Sequence, residues 1–275
     1  MTTTLKKSNE HTEDATPVWV EAGRAWEHAA KDWAYLFEPY ARDAIEYVFA
    51  KANVDEHSSV LDVACGSGLA LSRAARLGAS TAGLDAAEGL IDIARRRDRN
   101  GDLRVGDMFD LPWPDASFDL VTSFNGIWGG CAAAVVEMAR VVKPGGMVAL
   151  TFWGPGKNLD LRDFFIALGS AVPAVGEELI DLAEIGKPGV AEDMLASARL
   201  RLVERGSTAA RFEWPDSDVA WRALRSPGVS QPPLEILGDA KLRDIVLTSI
   251  APFEASDGSY QMTNELTHVI AMRPA

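Results

Sequence analysis

The sequence predicts an α/β fold, a parallel sheet with helices on both faces. Three observations carry this reading. Short β-branched apolar runs alternate with helical patterns between residues 58 and 153. The runs are apolar almost throughout, as strands covered on both sides must be. Glycines or a Pro-Gly-Gly stop stand at several joints where the period changes.

The elements follow in order. Residues 1–16 are polar and threonine-rich, with Lys6 and Lys7 but no apolar core. This is no signal peptide, and a disordered tail is expected. Residues 19–52 have a helical pattern. "FEPYARDAIEYVFAKA" sets Ala44, Ile45, Val48 and Phe49 on one stripe, with Pro39 near a first turn. "SSVLDVA" reads as a buried strand, followed by a helix over 69–77 that Gly78 ends. "STAGLD" is a strand and "EGLIDIARRRDRN" a helix. "LRVGD" and "FDLVTSF" are strands, the second after a turn at Pro112–Asp115. "CAAAVVEMARVV" is a helix stopped by Pro144-Gly145-Gly146, and "MVALTFW" is the fifth strand.

Beyond Gly154 the alternation relaxes. Helices are expected over 161–168, 177–185, 190–198, 218–224 and 234–250. "LRLVERGSTAARFEW" reads as a strand. "YQMTNELTHVIAMR" alternates as a final strand, after the turn signal "ASDGSY". No internal repeat is visible.

Composition excludes several classes. Cys65 and Cys131 form no paired framework and have no Cys or His neighbour at ligand spacing. No metal site is expected, and a reducing compartment is. The formal net charge of −13 disfavours nucleic acid and anionic membranes. The basic run Arg95-Arg96-Arg97 reads as a solvated helix end, where cations suit the dipole. No apolar run reaches the ~20 residues of a spanning helix. A soluble, cytoplasmic protein is expected.

The stretch "LDVACGSGLAL" carries the chemistry. Gly66 and Gly68 follow the first strand and open the first helix. In an open α/β sheet, ligands bind there, beyond the carboxyl ends of the strands. A dinucleotide fingerprint would need a third glycine, where Leu71 stands. Asp62 inside the strand would repel a pyrophosphate but attract a cationic group. Asp85 ends the second strand, placed to accept ribose hydroxyls. Asp107 ends the third, where it could accept from an exocyclic amine, with Met108 covering the ring. One acid at a strand end is commonly a cap or a solvated charge. Three at successive strand ends describe ribose, adenine and an ammonium or sulfonium group.

With these motifs the sequence resembles the class I S-adenosylmethionine-dependent methyltransferases of the small-molecule type, including those of ubiquinone and menaquinone biosynthesis. "VLDVACGSG", "GLDAAEGLIDIA", "VGDMFDLPWPDASFDLVTSFN" and "MARVVKPGGMVALTFWG" match the family's motifs in spacing. The resemblance covers residues 60–153. It implies a Rossmann-like seven-stranded mixed sheet, last strand antiparallel, with helices on both faces and a helical cap. It implies S-adenosyl-L-methionine as cofactor and methyl transfer to a small molecule. Asp62 and Gly66 then lie near the methionine part, Asp85 on the ribose, and Asp107 with Met108 on the adenine. Asn125 lines the methyl end. Ala64, Cys65, Gly68, Ala86 and Trp33 complete the cofactor side. Ala64 stands where the family often has glycine, and Ala87 where it often has a hydroxyl. A single domain is expected over 17–275. Its cofactor core takes residues 55–155 and 198–275, its cap residues 17–52 and 156–197.

The acceptor side is read from the aromatics. Tyr40, Trp128 and Trp153 are the candidate pocket for an apolar or ring-bearing molecule. His28, beside Trp26 and Trp33, is the candidate general base, although a histidine on a half-buried helix more commonly only packs. The Asn/Asp-Pro-Pro-aromatic signature of amino-group methylation on bases or glutamine is absent, since "TSFN" stands there. Two rivals stay open: a non-catalytic S-adenosylmethionine-binding protein, and a dinucleotide oxidoreductase. Monomer and homodimer are both open.

Overall fold

The computed structural model describes residues 16–275. Of the tail expected over 1–16, residues 1–15 lie outside the described residues.

The described chain begins with helical turns. They are α1 (Val18–Glu27), the short α2 (Ala30–Asp32) and α3 (Arg42–Lys51). Between α2 and α3 the pitch changes, to a π turn over Trp33–Phe37 and a 3-10 turn over Glu38–Ala41. Pro39 sits in the first turn of the latter, where its missing N–H costs nothing. α3 buries Ala44, Ile45, Val48 and Phe49, the stripe its spacing predicts.

The alternation then runs β1 (Ser59–Val63), α4 (Leu69–Arg76), β2 (Ser80–Asp85), α5 (Glu88–Arg97), β3 (Asp102–Val105), β4 (Phe118–Phe124), α6 (Ala132–Val141) and β5 (Val142–Trp153). After it come α7 (Arg162–Ala171), α8 (Pro173–Ala183), α9 (Val190–Ser197), β6 (Arg201–Trp214), α10 (Ser217–Leu224), α11 (Gln231–Leu237), α12 (Asp239–Ile250) and β7 (Tyr260–Met272). The helix expected as one piece over 234–250 is two. Gly238 takes φ +78° between them, a conformation that ends one helix before the next begins.

The seven strands form one sheet, ordered β3-β2-β1-β4-β5-β7-β6. β7 runs antiparallel to both β5 and β6, while the strands from β3 to β5 pair in parallel. This is the Rossmann-like mixed sheet, with its last strand antiparallel. β1 is central, and its Val60, Leu61 and Val63 are fully buried. Successive residues feed opposite faces. On β7, Leu266 and Ile270 join the cluster of α3, while Val269 and Ala271 join that of α6 and α9. α7, α10 and α12 pack with the aromatic end of β6, through Phe164, Trp221, Val246, Phe212 and Trp214.

The strand order reverses at β1. The chain leaves it towards β2 and β3, then returns to β4 on its other side. The loop after β1 therefore opens into the crevice where such sheets bind ligands. Leu71 explains why no third glycine is needed there. A Cβ on Gly83 of β2 would stand 2.5 Å from Leu71 Cδ1 and 3.0 Å from Cys65 Sγ. The strand supplies the glycine, and the helix supplies the bulk. Gly83→Ala is expected to cost about 1–3 kcal/mol by overpacking. Urea unfolding should show the midpoint fall with an unchanged slope.

Candidate functional site

The loop after β1 turns through three left-handed residues, Ala64 at φ +55°, Gly66 at +54° and Gly68 at +74°. A Cβ on Gly68 would meet Ala94 of α5 at 2.8 Å, so this glycine also lets α4 and α5 approach. The Gly66 N–H donates to Asp85 Oδ2 at 2.8 Å, and the Ala87 N–H donates to Asp85 Oδ1 at 2.9 Å. One carboxylate thus ties the loop after β1 to the start of α5. Each oxygen keeps acceptor capacity for a further donor.

Asp62 lies one residue before the end of β1 and is 2% exposed. The Thr122 hydroxyl of β4 donates to its Oδ1 at 2.7 Å. Burial pushes the Asp62 carboxyl up to about 8, and the charges of Glu38 and Asp85 push the same way against Thr122. Burial also raises Asp85, against the backbone donors of Ala87, Gly66 and Ala86.

The turn between α2 and α3 closes over this loop. Glu38 is 7% exposed and reaches the loop itself. Its Oε1 accepts from the Ser67 N–H at 3.0 Å, and its Oε2 accepts from the Ser67 hydroxyl. Arg97, the last residue of α5, donates to Glu38 Oε2 at 2.7 Å and to Ala34 O at 2.7 Å. Its guanidinium lies 5.2 Å from the centre of the Tyr35 ring. α1 seats beside it. A Cβ on Gly23 would meet Ala86 O at 2.2 Å, and Glu27 accepts from the Gly89 N–H at 2.9 Å.

Beneath this cover is a cavity of about 40 Å³. Trp33, Glu38, Tyr40, Asp62, Gly66 and Phe124 are among the residues that wall it. The Trp33 indole N–H is buried there and finds no partner. It lies 3.5 Å from where a Cβ on Gly66 would stand.

The structure brings Trp33, Tyr40, Asp62, Ala64, Cys65 and Gly66 to one cavity. Asp85, Ala86 and Gly68 stand around the same loop. Asn125, at φ +63° just after β4, donates from Nδ2 to the Tyr40 hydroxyl at 3.0 Å. Tyr40 stacks on Trp153, with ring centres 4.8 Å apart. Trp128 does not join them. It packs with Met108 against the cluster of α6 and α9. Asp107 lies two residues beyond β3 and accepts from the Phe109 N–H at 2.9 Å.

His28 is not brought to the cavity. It is exposed at the end of α1, its Nδ1 2.7 Å from Ala25 O and its Nε2 2.9 Å from Arg225 O. His268 is buried between β5 and β6, with Nε2 3.2 Å from Glu204. Glu38, Ser67 and Arg97 escaped the sequence reading. Arg97 belongs to the run read as a solvated helix end, and that reading is corrected for it. Its side chain is only 17% exposed and turns inward to Glu38. A lone acid inside "WAYLFEPY" was the available signal for Glu38.

Residues 61–150 match the family model described as a methyltransferase domain. Over this stretch the chain is similar to methyltransferase domains. A demethylmenaquinone methyltransferase of Staphylococcus epidermidis is 37% identical over 111 residues, 38% of this chain and 46% of its own length. A nocamycin O-methyltransferase of Saccharothrix syringae is 30% identical over 187 residues, 59% of this chain and 65% of its own length. The chain spans about half to two thirds of the length of these curated relatives. A solved Bacillus halodurans protein described as a methyltransferase shares the fold. Its TM-score is 0.57 at 20% identity, over 84% of this chain and 99% of its own. Among the described residues, no helix is long and apolar enough to cross a membrane. None of their His, Cys, Asp and Glu side chains group in threes to hold a metal ion.

Two outcomes are expected. Ala64 holds a left-handed φ that costs an L-residue about 1 kcal/mol or more, so Ala64→Gly should stabilise the protein by about that amount in denaturant unfolding. Asp62 has a higher pKa folded than unfolded, so the fold keeps its proton longer. Its ionisation therefore costs stability progressively from about pH 4 to about pH 8. Asp62→Asn should lose less Tm than the wild type across that window, and parallel curves would refute the placement.

Proposed function

We propose that the protein transfers a methyl group from S-adenosylmethionine to a small-molecule acceptor. One observation carries this reading most. The Asp85 carboxylate sits at the end of β2, bonded to the glycine loop, beside a cavity that combines buried acids with an unpartnered indole N–H. That set suits an adenosyl ribose next to an α-amino acid. Asp85 and Ala86 take the ribose, and Asp107 with Met108 takes the adenine. Asp62, Ala64, Cys65, Gly66 and Gly68 seat the amino-acid end, with its ammonium towards Asp62. The Trp33 N–H donates to its carboxylate. Asn125 lines the methyl end.

The bound cofactor supplies an electrophilic methyl on a sulfonium, and the acceptor's electron pair takes it as the thioether leaves. The chain's own task is to align the two and to exclude water. Tyr40 and Trp153 offer the acceptor an aromatic wall, continued by Phe165 and Phe212. This favours an apolar or ring-bearing molecule. Burial pushes the Tyr40 hydroxyl up, so it stays protonated and serves as a hydrogen-bonding group rather than a base. Nucleic acid is disfavoured as acceptor by the charge of −13. The two buried, unpaired thiols suit a reducing compartment such as the cytoplasm.

Small-molecule sites are commonly about 300–1,000 Å³, far above the cavity of about 40 Å³ under the closed cover. The cavity therefore takes only the amino-acid end, and the nucleoside lies outside it, on Asp85, Asp107 and Met108. The reading is tested by calorimetry with S-adenosylhomocysteine and by labelled methyl transfer into small-molecule extracts. Binding with no label transferred would favour a non-catalytic binder. Stabilisation by NAD alone would favour an oxidoreductase. Asp85→Ala is expected to weaken S-adenosylhomocysteine at least about tenfold, since a carboxylate accepting from both ribose hydroxyls is lost. It should also lower Tm, because Gly66 and Ala87 lose their acceptor.

A further inference from the structure

The covering segment brings its own charge to the cavity. Glu38 is one of its walls, and Arg97 is not. The ion pair is therefore oriented, its anionic end towards the cavity and its cationic end towards Ala34 O and Tyr35. Asp62 is the other acid in the wall, and the residues lining the cavity include no Lys, Arg or His. The unpartnered Trp33 indole, nine-tenths buried, points to a ligand with an acceptor as well as a cation. Screening between these groups is weak, because water is largely excluded. Burial raises the Glu38 carboxyl above its ordinary value, and Arg97 with the two Ser67 bonds opposes that and favours the anion.

We propose that Glu38 is a specificity-determining residue that makes the covered site prefer a cationic cofactor over the neutral thioether left after transfer. This rests on the S-adenosylmethionine reading. The glycine loop would hold the nucleoside in either state. The anionic wall tells them apart, because the sulfonium and the thioether differ by one positive charge. Glu38 thereby favours product release as the covering segment reopens. Because the same carboxylate bonds Ser67, the segment brings the selecting charge into place only when it closes on the loop.

The test uses two probes on the full chain. Sinefungin carries an amine in place of the sulfonium and is cationic near neutral pH. S-adenosylhomocysteine is the neutral thioether. Calorimetry on the wild type should show a clear preference for sinefungin. Glu38→Gln keeps an oxygen to accept from Ser67 and is expected to cut that preference about tenfold, mostly by weakening sinefungin. A purely structural Glu38 would weaken both probes equally, and that result overturns the proposal. So does a wild type that binds the two alike, which needs no folded variant. A wild type that binds neither refutes the cofactor reading itself.

Discussion

The carboxylate of Asp85 is the interaction on which the rest of the site depends. It accepts from the Gly66 N–H and the Ala87 N–H, and so joins two loops that leave different strands. Without it one buried and one part-buried donor would lose their acceptor at the point where the sheet reverses its strand order. The left-handed turn through Ala64, Gly66 and Gly68 is tied to β2 by this bond and by the Cys65 N–H, which donates to Leu84 O at 3.0 Å. α1 then seats on Ala86, the residue between Asp85 and Ala87. The cover thus lands on a platform set by one side chain. The proposed ribose contact and the loop architecture draw on the same two oxygens.

Burying acids beside one another is costly, and the structure offsets the cost in distinct ways. Asp85 is answered by backbone N–H groups, Asp62 by the Thr122 hydroxyl, and Glu38 by Ser67 and Arg97. Only Glu38 meets a formal cation, and that cation also grips Ala34 and Tyr35 on the covering segment. The pitch change after Asp32 has a physical reason in this setting. The π turn buries Trp33 and Phe37, and the tighter 3-10 turn buries Glu38 and Tyr40. Helical irregularities of this kind recur at functional sites because they re-aim side chains.

The strands and most helices of the sheet were legible in the sequence, because a strand covered on both faces must be apolar along its length. β1, β2, β4 and β5 all carry that pattern. Asp62, Gly66 and Asp85 were legible because they lie close to strand ends, where position in the sequence sets position in the crevice. Trp128 was not. It lies four residues beyond β4, in the loop that Asn125 opens, yet it packs on the opposite cluster from Tyr40 and Trp153. The face a loop residue takes has no period to read. His28 looked placed for chemistry by its aromatic neighbours, but its ring nitrogens lie against two carbonyl oxygens, one of them 197 positions away. Arg97 looked like a solvated end because its helix neighbours Arg95 and Arg96 are exposed.

The sequence by itself determined the alternation, the glycine turn after β1 and the acids at the strand ends, since each follows from local sterics and hydrophobic period. It also argued against a dinucleotide loop, through Leu71. Tertiary structure alone decided which glycine of another strand makes room for that leucine. It alone placed Glu38 on Ser67 and turned Arg97 inward. These are contacts between segments far apart in the chain. Their energy comes from desolvated charges meeting in three dimensions, and a one-dimensional pattern does not encode where such charges meet.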